Sequence, residues 1–442
     1  MDIDHVMDID HDPFRGEGPS KRPCALLWDE SFLWGLMAWR ALKEAGLPFD
    51  LLRSEDIRAG RLSHYRMVFV PGGWALNKIK ALGTEGIEEI RRFVAAGGAY
   101  LGICGGAGMA SEKGLDLLPV RRKPSGERVP SFSGPIRLSL ADHAIWQGIQ
   151  TPVFCLWWPS QFQMEDPKIR ILARYEEAQA DAFSADIGVA DGRDIGWPEL
   201  ERRYGILLDP ERLRGEPGVV EGCFGRGRVI LSLVHFDTPG DSCGAAVLRN
   251  LWGPPYSCHP SETSMGVNCK GQYPFEDIPK RLKDSIEAIH ASIAELIATG
   301  ARNFLWHRRN ALLLQWRRGV RGLEYSTLEA MVGEIRRRIC NPGDSDRAGR
   351  LSRSGSFGLS RLESQLKEIR GQVIPFCEKA ARLLIRERFY MIHGPLSPVE
   401  CRDAEIGRLR QALFGSAMSH GGDFKRLIDP IDRLLYDLIK DE

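Results

Sequence analysis

The chain is 442 residues long, 43% hydrophobic and 27% charged, the profile of an ordinary globular protein of roughly two to three domains. Sixty Lys and Arg residues stand against 59 Asp and Glu, a formal net charge of +1, which excludes a strongly basic nucleic-acid coat or an acidic tail as the overall theme. No run approaches the ~18 uninterrupted apolar residues of a spanning helix, so a membrane is not expected as a partner.

Residues 1–21, with the near-repeat MDIDH, are acidic and lack the basic and apolar regions of a secretory signal; they read as a disordered leader. On that reading the protein is cytoplasmic and its ten cysteines are reduced thiols. No C-x-x-C pair supports a zinc site, and no metal or cofactor is expected. CALLWD (24–29), FDLLR (49–53), MVFVPGG (67–73) and AYLGIC (99–104) are short apolar runs that predict buried strands. SFLWGLMAWRALKEAGL (31–47) and the Thr-capped TEGIEEIRRFVAAGG (84–98) have helical spacing and predict the helices between them. This alternation predicts an α/β domain with a parallel sheet covered on both faces. PIRLSL (135–140), PVFCLWW (152–158) and IRILARY (169–175) follow without long helices, and residues 219–236 contain a Gly-Arg-Gly turn between two strands. They predict an antiparallel extension of the sheet. The domain is expected over 22–255, a linker over 256–276, and an all-helical domain over 277–442, in which NALLLQWRRGV (310–320) reads as one of the helices and 343–361 as a mobile loop.

Three local features carry chemistry. In AYLGICGGAGMA (99–110) a strand runs into Gly-x-Cys-Gly-Gly and then a small-residue helix start, the arrangement of a nucleophile elbow. Cys104 is the nucleophile, the helix N-terminus favours its thiolate, and Gly105 N–H is an oxyanion donor. In VILSLVHFDTPG (229–240) a buried strand is expected to deliver His235 and Asp237 on one face, the first to take the thiol proton and the second to fix the imidazole tautomer. In VFVPGGW (68–74) the pair Gly72 and Gly73 follows a strand and offers the other half of an oxyanion hole at the sheet's carboxyl edge.

Together, Pro71-Gly72-Gly73, Gly102-Ile103-Cys104-Gly105-Gly106 and His235-Phe236-Asp237 resemble the class I glutamine amidotransferase-like superfamily. In particular, residues 22–255 look like the amidotransferase-like domain at the N-terminus of some biotin–protein ligases. The resemblance implies a flavodoxin-like sandwich with a Cys-His-acid triad formed by Cys104, His235 and Asp237. Two departures stand out. The family's Gln one turn beyond the nucleophile is replaced by Gly108, and its His-Pro-Glu becomes His235-Phe236-Asp237. No ammonia-accepting synthetase domain or ATP-binding loop follows. Gly225-Arg226-Gly227-Arg228 is similar to the biotinyl-adenylate loop of biotin ligases but lies between two predicted strands, where a hairpin turn accounts for it.

Other residues have two readings. Asp29 and Glu30 end the first strand, where a carboxylate can meet the Cys104 thiol or a substrate amine, or cap the helix that follows. Trp157, Trp158 and Gln161 can wall a substrate pocket or pack the sheet edge. Cys243 is a second thiol near His235 in sequence, or a loop cysteine. Residues 301–370 hold 15 Lys and Arg against seven Asp and Glu, yet aromatic interleaving is thin, which argues against nucleic acid. Two functions follow. One is a cysteine hydrolase or transferase acting on a small-molecule amide or related ligand through a thioester. The alternative is a catalytically silent ligand-binding or regulatory module that scaffolds the helical domain for a protein partner.

Overall fold

The computed structural model describes residues 22–253, 278–340, 355–394, 403–415 and 420–440. The leader, the linker and 343–354 of the expected loop lie outside the described residues.

The first half of the chain builds one sheet. Its early strands are β1 (Arg22–Leu27), β2 (Asp50–Leu52), β3 (Tyr65–Val70) and β4 (Ala99–Ile103). A middle set follows: β5 (Arg121–Arg122), β6 (Phe132–Leu140), β7 (Val153–Trp157), β8 (Phe162–Gln163), β9 (Arg170–Ala178), β10 (Phe183–Ser184) and β11 (Ile187–Gly188). The hairpin β12 (Pro217–Phe224) and β13 (Gly227–Ser232) completes it. The order is β11-β10-β6-β9-β12-β13-β4-β3-β1-β2, with β7 on β6 and the small pair β5–β8 apart. From β13 to β2 all pairings are parallel; beyond β13 they are antiparallel. The apolar strands of the parallel part are buried because helices cover them: α1 (Leu33–Glu44), α2 (Ser54–Arg58), α3 (Ala75–Ala95), α4 (Gly105–Met109) and, after α5 (Val189–Ile195) and α6 (Trp197–Tyr204), α7 (Ser242–Trp252).

The helix expected over 84–98 follows Gly83, whose φ of 63° and ψ of −179° no helix accommodates and which divides it from a helical segment begun at Ala75; it ends at Ala95. The Gly225-Arg226 turn is a hairpin, with Gly225 at φ 61° and Arg226 N donating to Ala95 O.

The second half is helical: α8 (Lys280–Arg302), α9 (Gly322–Cys340), α10 (Gly355–Tyr390), α11 (Ala404–Phe414) and α12 (Gly422–Ile439). It is not all-helical. Residues 310–320, expected as a helix, instead contribute to a hairpin of β14 (Trp306–Arg308) and β15 (Leu314–Trp316). The apolar run LLLQW suits either state, and burial of Leu312–Leu314 and Gln315 decides it. Gln315 Nε2 donates to Ala185 O at 2.6 Å and its Oε1 accepts from Ser133 Oγ at 2.8 Å, so the hairpin docks on the sheet's antiparallel edge. Residues 355–361, expected in the loop, belong to α10. No described helix is long and apolar enough to cross a membrane.

One continuous core joins the halves. At its heart Glu334 on α9 is fully buried and accepts hydrogen bonds from Arg40 of α1 and from Arg337 and Arg338, each at 2.7 Å. Burial pushes its carboxyl up, but the Arg337 and Arg40 hydrogen bonds outweigh burial and hold it down to about 2. A depressed carboxyl contributes stability above its ordinary value of 4.5, lost as pH falls toward 2. Glu334→Ala removes the carboxylate that three guanidinium groups share and is expected to cost about 1.5–3 kcal/mol, read as a lowered urea midpoint at pH 7. The wild-type midpoint is expected to fall toward the variant's below pH 4, roughly where this carboxyl takes up its proton.

Candidate active site

Cys104 sits on the turn between β4 and α4 with φ 52° and ψ −104°, a conformation a non-glycine residue adopts only under constraint. The constraint is visible on both sides. Cys104 N donates to Ser232 O of β13 at 2.7 Å, and Tyr100 Oη donates to Gly106 O at 2.8 Å. A Cβ on Gly105 would lie 1.9 Å from Gly73 O, so the elbow and the loop after β3 meet backbone to backbone. Gly73 has φ 113°, and a Cβ there would meet Glu30 O at 2.7 Å. Gly73 and Gly105 therefore lie side by side at the turn. Gly72 is not among the residues that line the cavity described below, and a Cβ there would meet the Trp34 ring at 2.9 Å.

His235 and Asp237 lie past the end of β13, in a turn closed by Thr238 N donating to His235 O at 3.3 Å, and not on the strand as expected. The strand stops because Ser232 Oγ turns back onto Val234 O and N. Both residues are fully buried. His235 Nδ1 is paired with Asp237 Oδ1 at 2.9 Å, and its backbone N–H donates to Cys155 O at 2.9 Å. Trp34 lies against the imidazole with centroids 4.8 Å apart. Burial pushes the imidazole's pKa down; the Asp237 carboxylate and, less strongly, Cys104 outweigh it and bring the value up to about 9. With Nδ1 committed to Asp237, Nε2 is the nitrogen that remains for Cys104, and it has no hydrogen-bond partner among the described residues.

Cys104, Gly73 and Gly105 open onto a cavity of about 310 Å³. Trp34, Trp74, Trp157 and Trp158 line it from the first half of the chain, with Gly108, Arg122 and Ser160. Trp316, Val320, Leu323 and Glu324 line it from the second half. Trp158, at φ 46°, stacks on Trp316 at 4.3 Å and 26°. Trp157 Nε1 is satisfied by Thr238 Oγ1 at 3.1 Å. The wall from the second half was not found from the sequence, because it rests on contacts between residues more than 150 positions apart; the Trp in LLLQW is its only local signal.

Three expected substrate residues lie elsewhere. Gln161 is buried and its Oε1 accepts from Val129 N at 2.8 Å. Asp29 accepts from Arg53 at 2.8 Å and from Ser54 N at 2.6 Å, so it caps α2. Glu30 accepts from Lys425 of α12 at 2.7 Å and from Asn77 at 3.2 Å. Neither carboxylate lines the cavity, and neither caps α1, whose N-cap is Phe32. They belong to a buried charged cluster with Lys78, which sits directly behind Gly73 and donates to Ser31 Oγ. Burial pushes Lys78 down, and Asp432 of α12, whose Oδ2 is 3.3 Å from Arg53, is pushed up by burial. Cys243 Sγ donates to Thr151 O at 3.4 Å and is no part of the cavity.

The parallel strands, the turn at Cys104 and the antiparallel extension make a mixed α/β fold. Residues 62–114, which carry β3, the glycine loop and the Cys104 turn, match the family described as biotin–protein ligase, N terminal. Among solved structures the chain is similar to a glutamine amidotransferase at 19% identity, covering 52% of this chain and 96% of that one with a TM-score of 0.33. It is also similar to a glutamine amidotransferase from Thermotoga maritima at 14% identity, covering 50% and 78% with a TM-score of 0.29. A third similar structure is a β-galactosidase from Bacillus circulans at 15% identity, covering 52% of this chain but 30% of that one, with a TM-score of 0.33. No curated protein matches the sequence.

Asp237→Asn keeps the shape of the side chain and removes the charge. Burial then dominates, and the His235 pKa, followed by NMR of the imidazole, is expected to fall from about 9 to below the ordinary histidine value of about 6.5.

Proposed function

We propose that the cavity is a cysteine-dependent acyl-transfer site. The Cys104 thiolate attacks an amide or related acyl carbon while His235 Nε2 carries the thiol proton. The N–H groups of Gly73 and Gly105 hold the oxyanion, and the imidazolium gives its proton to the leaving amine. Water or an amine acceptor then resolves the thioester, with His235 as base. The observation that carries this reading is the strained Cys104 turn beside a buried imidazole whose Nδ1 is held by Asp237 at 2.9 Å and whose Nε2 has no other partner among the described residues. The strain is supportive in itself: φ 52° costs of order 1–3 kcal/mol and persists only where the surroundings impose it. The match to the biotin–protein ligase N-terminal family includes the elbow but ends before His235, so it supports the fold around the nucleophile and leaves the reaction to the geometry.

The alternative, a silent ligand-binding module, keeps the cavity and dispenses with thiol chemistry. Alkylation of every cysteine in the native protein with iodoacetamide, resolved by peptide mass spectrometry across pH, separates the two. Cys104 is expected to react fastest at pH 6–7, where ordinary thiols with pKa about 8.5 are mostly protonated, and His235→Ala is expected to slow it at least about tenfold. An unreactive Cys104, or one indifferent to His235→Ala, leaves the silent module as the reading.

A further inference from the structure

The cavity's lining is unusual for a site that would bind an amino acid. Four of its tryptophans come from the first half, and Trp316 extends the stack from the second. An amino-acid ammonium needs an unpaired acid. The acid in the wall, Glu324, is already matched, to Arg321 at 2.5 Å and to His420 at 3.7 Å. The charged side chain left without an acidic partner is Arg122. Its Nε donates to Ser160 Oγ at 3.2 Å, and among the described residues no carboxylate pairs with it. The place of Arg122 is tied to the elbow. A Cβ on Gly108, one turn beyond Cys104, would lie 3.9 Å from Arg122 Cδ. Position 108 therefore borders the arginine stem at ordinary contact distance.

From these placements we infer that the site takes an amide or ester whose acyl group is flat and apolar beside the reacting carbon and anionic at its far end. Trp158 and Trp316 form the stacking wall, and Arg122 supplies the counter-charge. This inference rests on the acyl-transfer reading for its chemistry but not for its binding. A volume of about 310 Å³ stands at the small end of ligand pockets, which run about 300–1,000 Å³, and suits one aromatic acid with its linkage. The planar guanidinium matches a carboxylate in a two-pronged geometry that an ammonium would not. Trp316 sets the selectivity of a site whose reacting thiol lies in the other half of the chain.

The test uses the full-length protein and three 4-nitrophenyl esters: acetate, benzoate and the monoester of terephthalic acid. In each the Cys104 thiolate forms a C–S bond, the C–O bond breaks, and 4-nitrophenolate leaves with the electron pair. Acylation is read at 400 nm and placed on Cys104 by peptide mass. With rates normalised to those of free cysteine, the terephthalate monoester is expected to lead, benzoate to follow and acetate to trail by about tenfold or more. Trp316→Ala is expected to erase the preference for benzoate over acetate, and Arg122→Ala the preference for the carboxylated ester over benzoate. Equal normalised rates, or preferences untouched by both substitutions, overturn the inference. Failure of every ester to acylate Cys104 removes the acyl-transfer reading instead. Binding is then decided on Cys104→Ser by tryptophan quenching. A tenfold tighter response to 4-carbamoylbenzoate than to benzamide, with none to acetamide, sustains the ligand class, and the absence of that order overturns it.

Discussion

The site depends on a contact between two peptide backbones. Gly105 and Gly73 approach so closely that no side chain fits between them, and that approach puts the elbow after β4 against the loop after β3. It requires β3 and β4 to be adjacent and parallel, with β13 on the other side to hold Cys104 N through Ser232 O. Sheet order, glycine placement and the positive φ of Cys104 are thus one constraint seen at three scales. Any shift of register between β3 and β4 would separate the two loops by a residue's rise, about 3.3 Å, and dismantle the arrangement.

The second half of the chain is fastened to this core through buried charge as well as apolar packing. Glu334 draws Arg40 of α1 into the interior, and the Lys78 cluster draws Asp432 and Lys425 of α12 down behind Gly73. Ion pairs of this kind add little stability against a well-packed apolar alternative, but they punish misalignment, because any one partner left alone is a buried charge. Their location suits that role: one holds α9 on α1, and the other lies beneath the glycine loop after β3. The same helical half supplies Trp316 and Glu324 to the cavity, so the alignment these charges enforce is also the alignment of the wall.

Much of the α/β half was legible in the sequence, because parallel strands are short apolar runs and the elbow needs glycines that nothing else would require. CALLWD, MVFVPGG and AYLGIC became β1, β3 and β4 with shifts of one or two residues at their ends. His235 and Asp237 were legible as a pair, although periodicity put them on a strand that a serine hydroxyl ends three residues earlier. Asp29 and Glu30 were misplaced because their position at the sheet's carboxyl edge said nothing of Arg53, Asn77 and Lys425, which claim them. Residues 310–320 were misread because an apolar run of that length fits a helix or a hairpin, and the partner that selects the hairpin, the Ser133–Ala185 edge, is remote in sequence. Local pattern reports local constraint; the cavity's far wall is a long-range fact.

That wall sets an order of events on the ribosome. Cys104, Gly73 and four of the cavity's tryptophans are all made before residue 160, and His235 and Asp237 before residue 240, whereas Trp316 and the residues to Glu324 emerge later. A nascent chain that has completed the sheet therefore shows an uncovered tryptophan face beside Cys104, with no far side to the cavity. Domains generally fold as units in the order they are synthesised, and exposed apolar surface in that interval is what chaperones hold. Cys104 and the glycines beside it are thus older, in the lifetime of each molecule, than the wall that faces them.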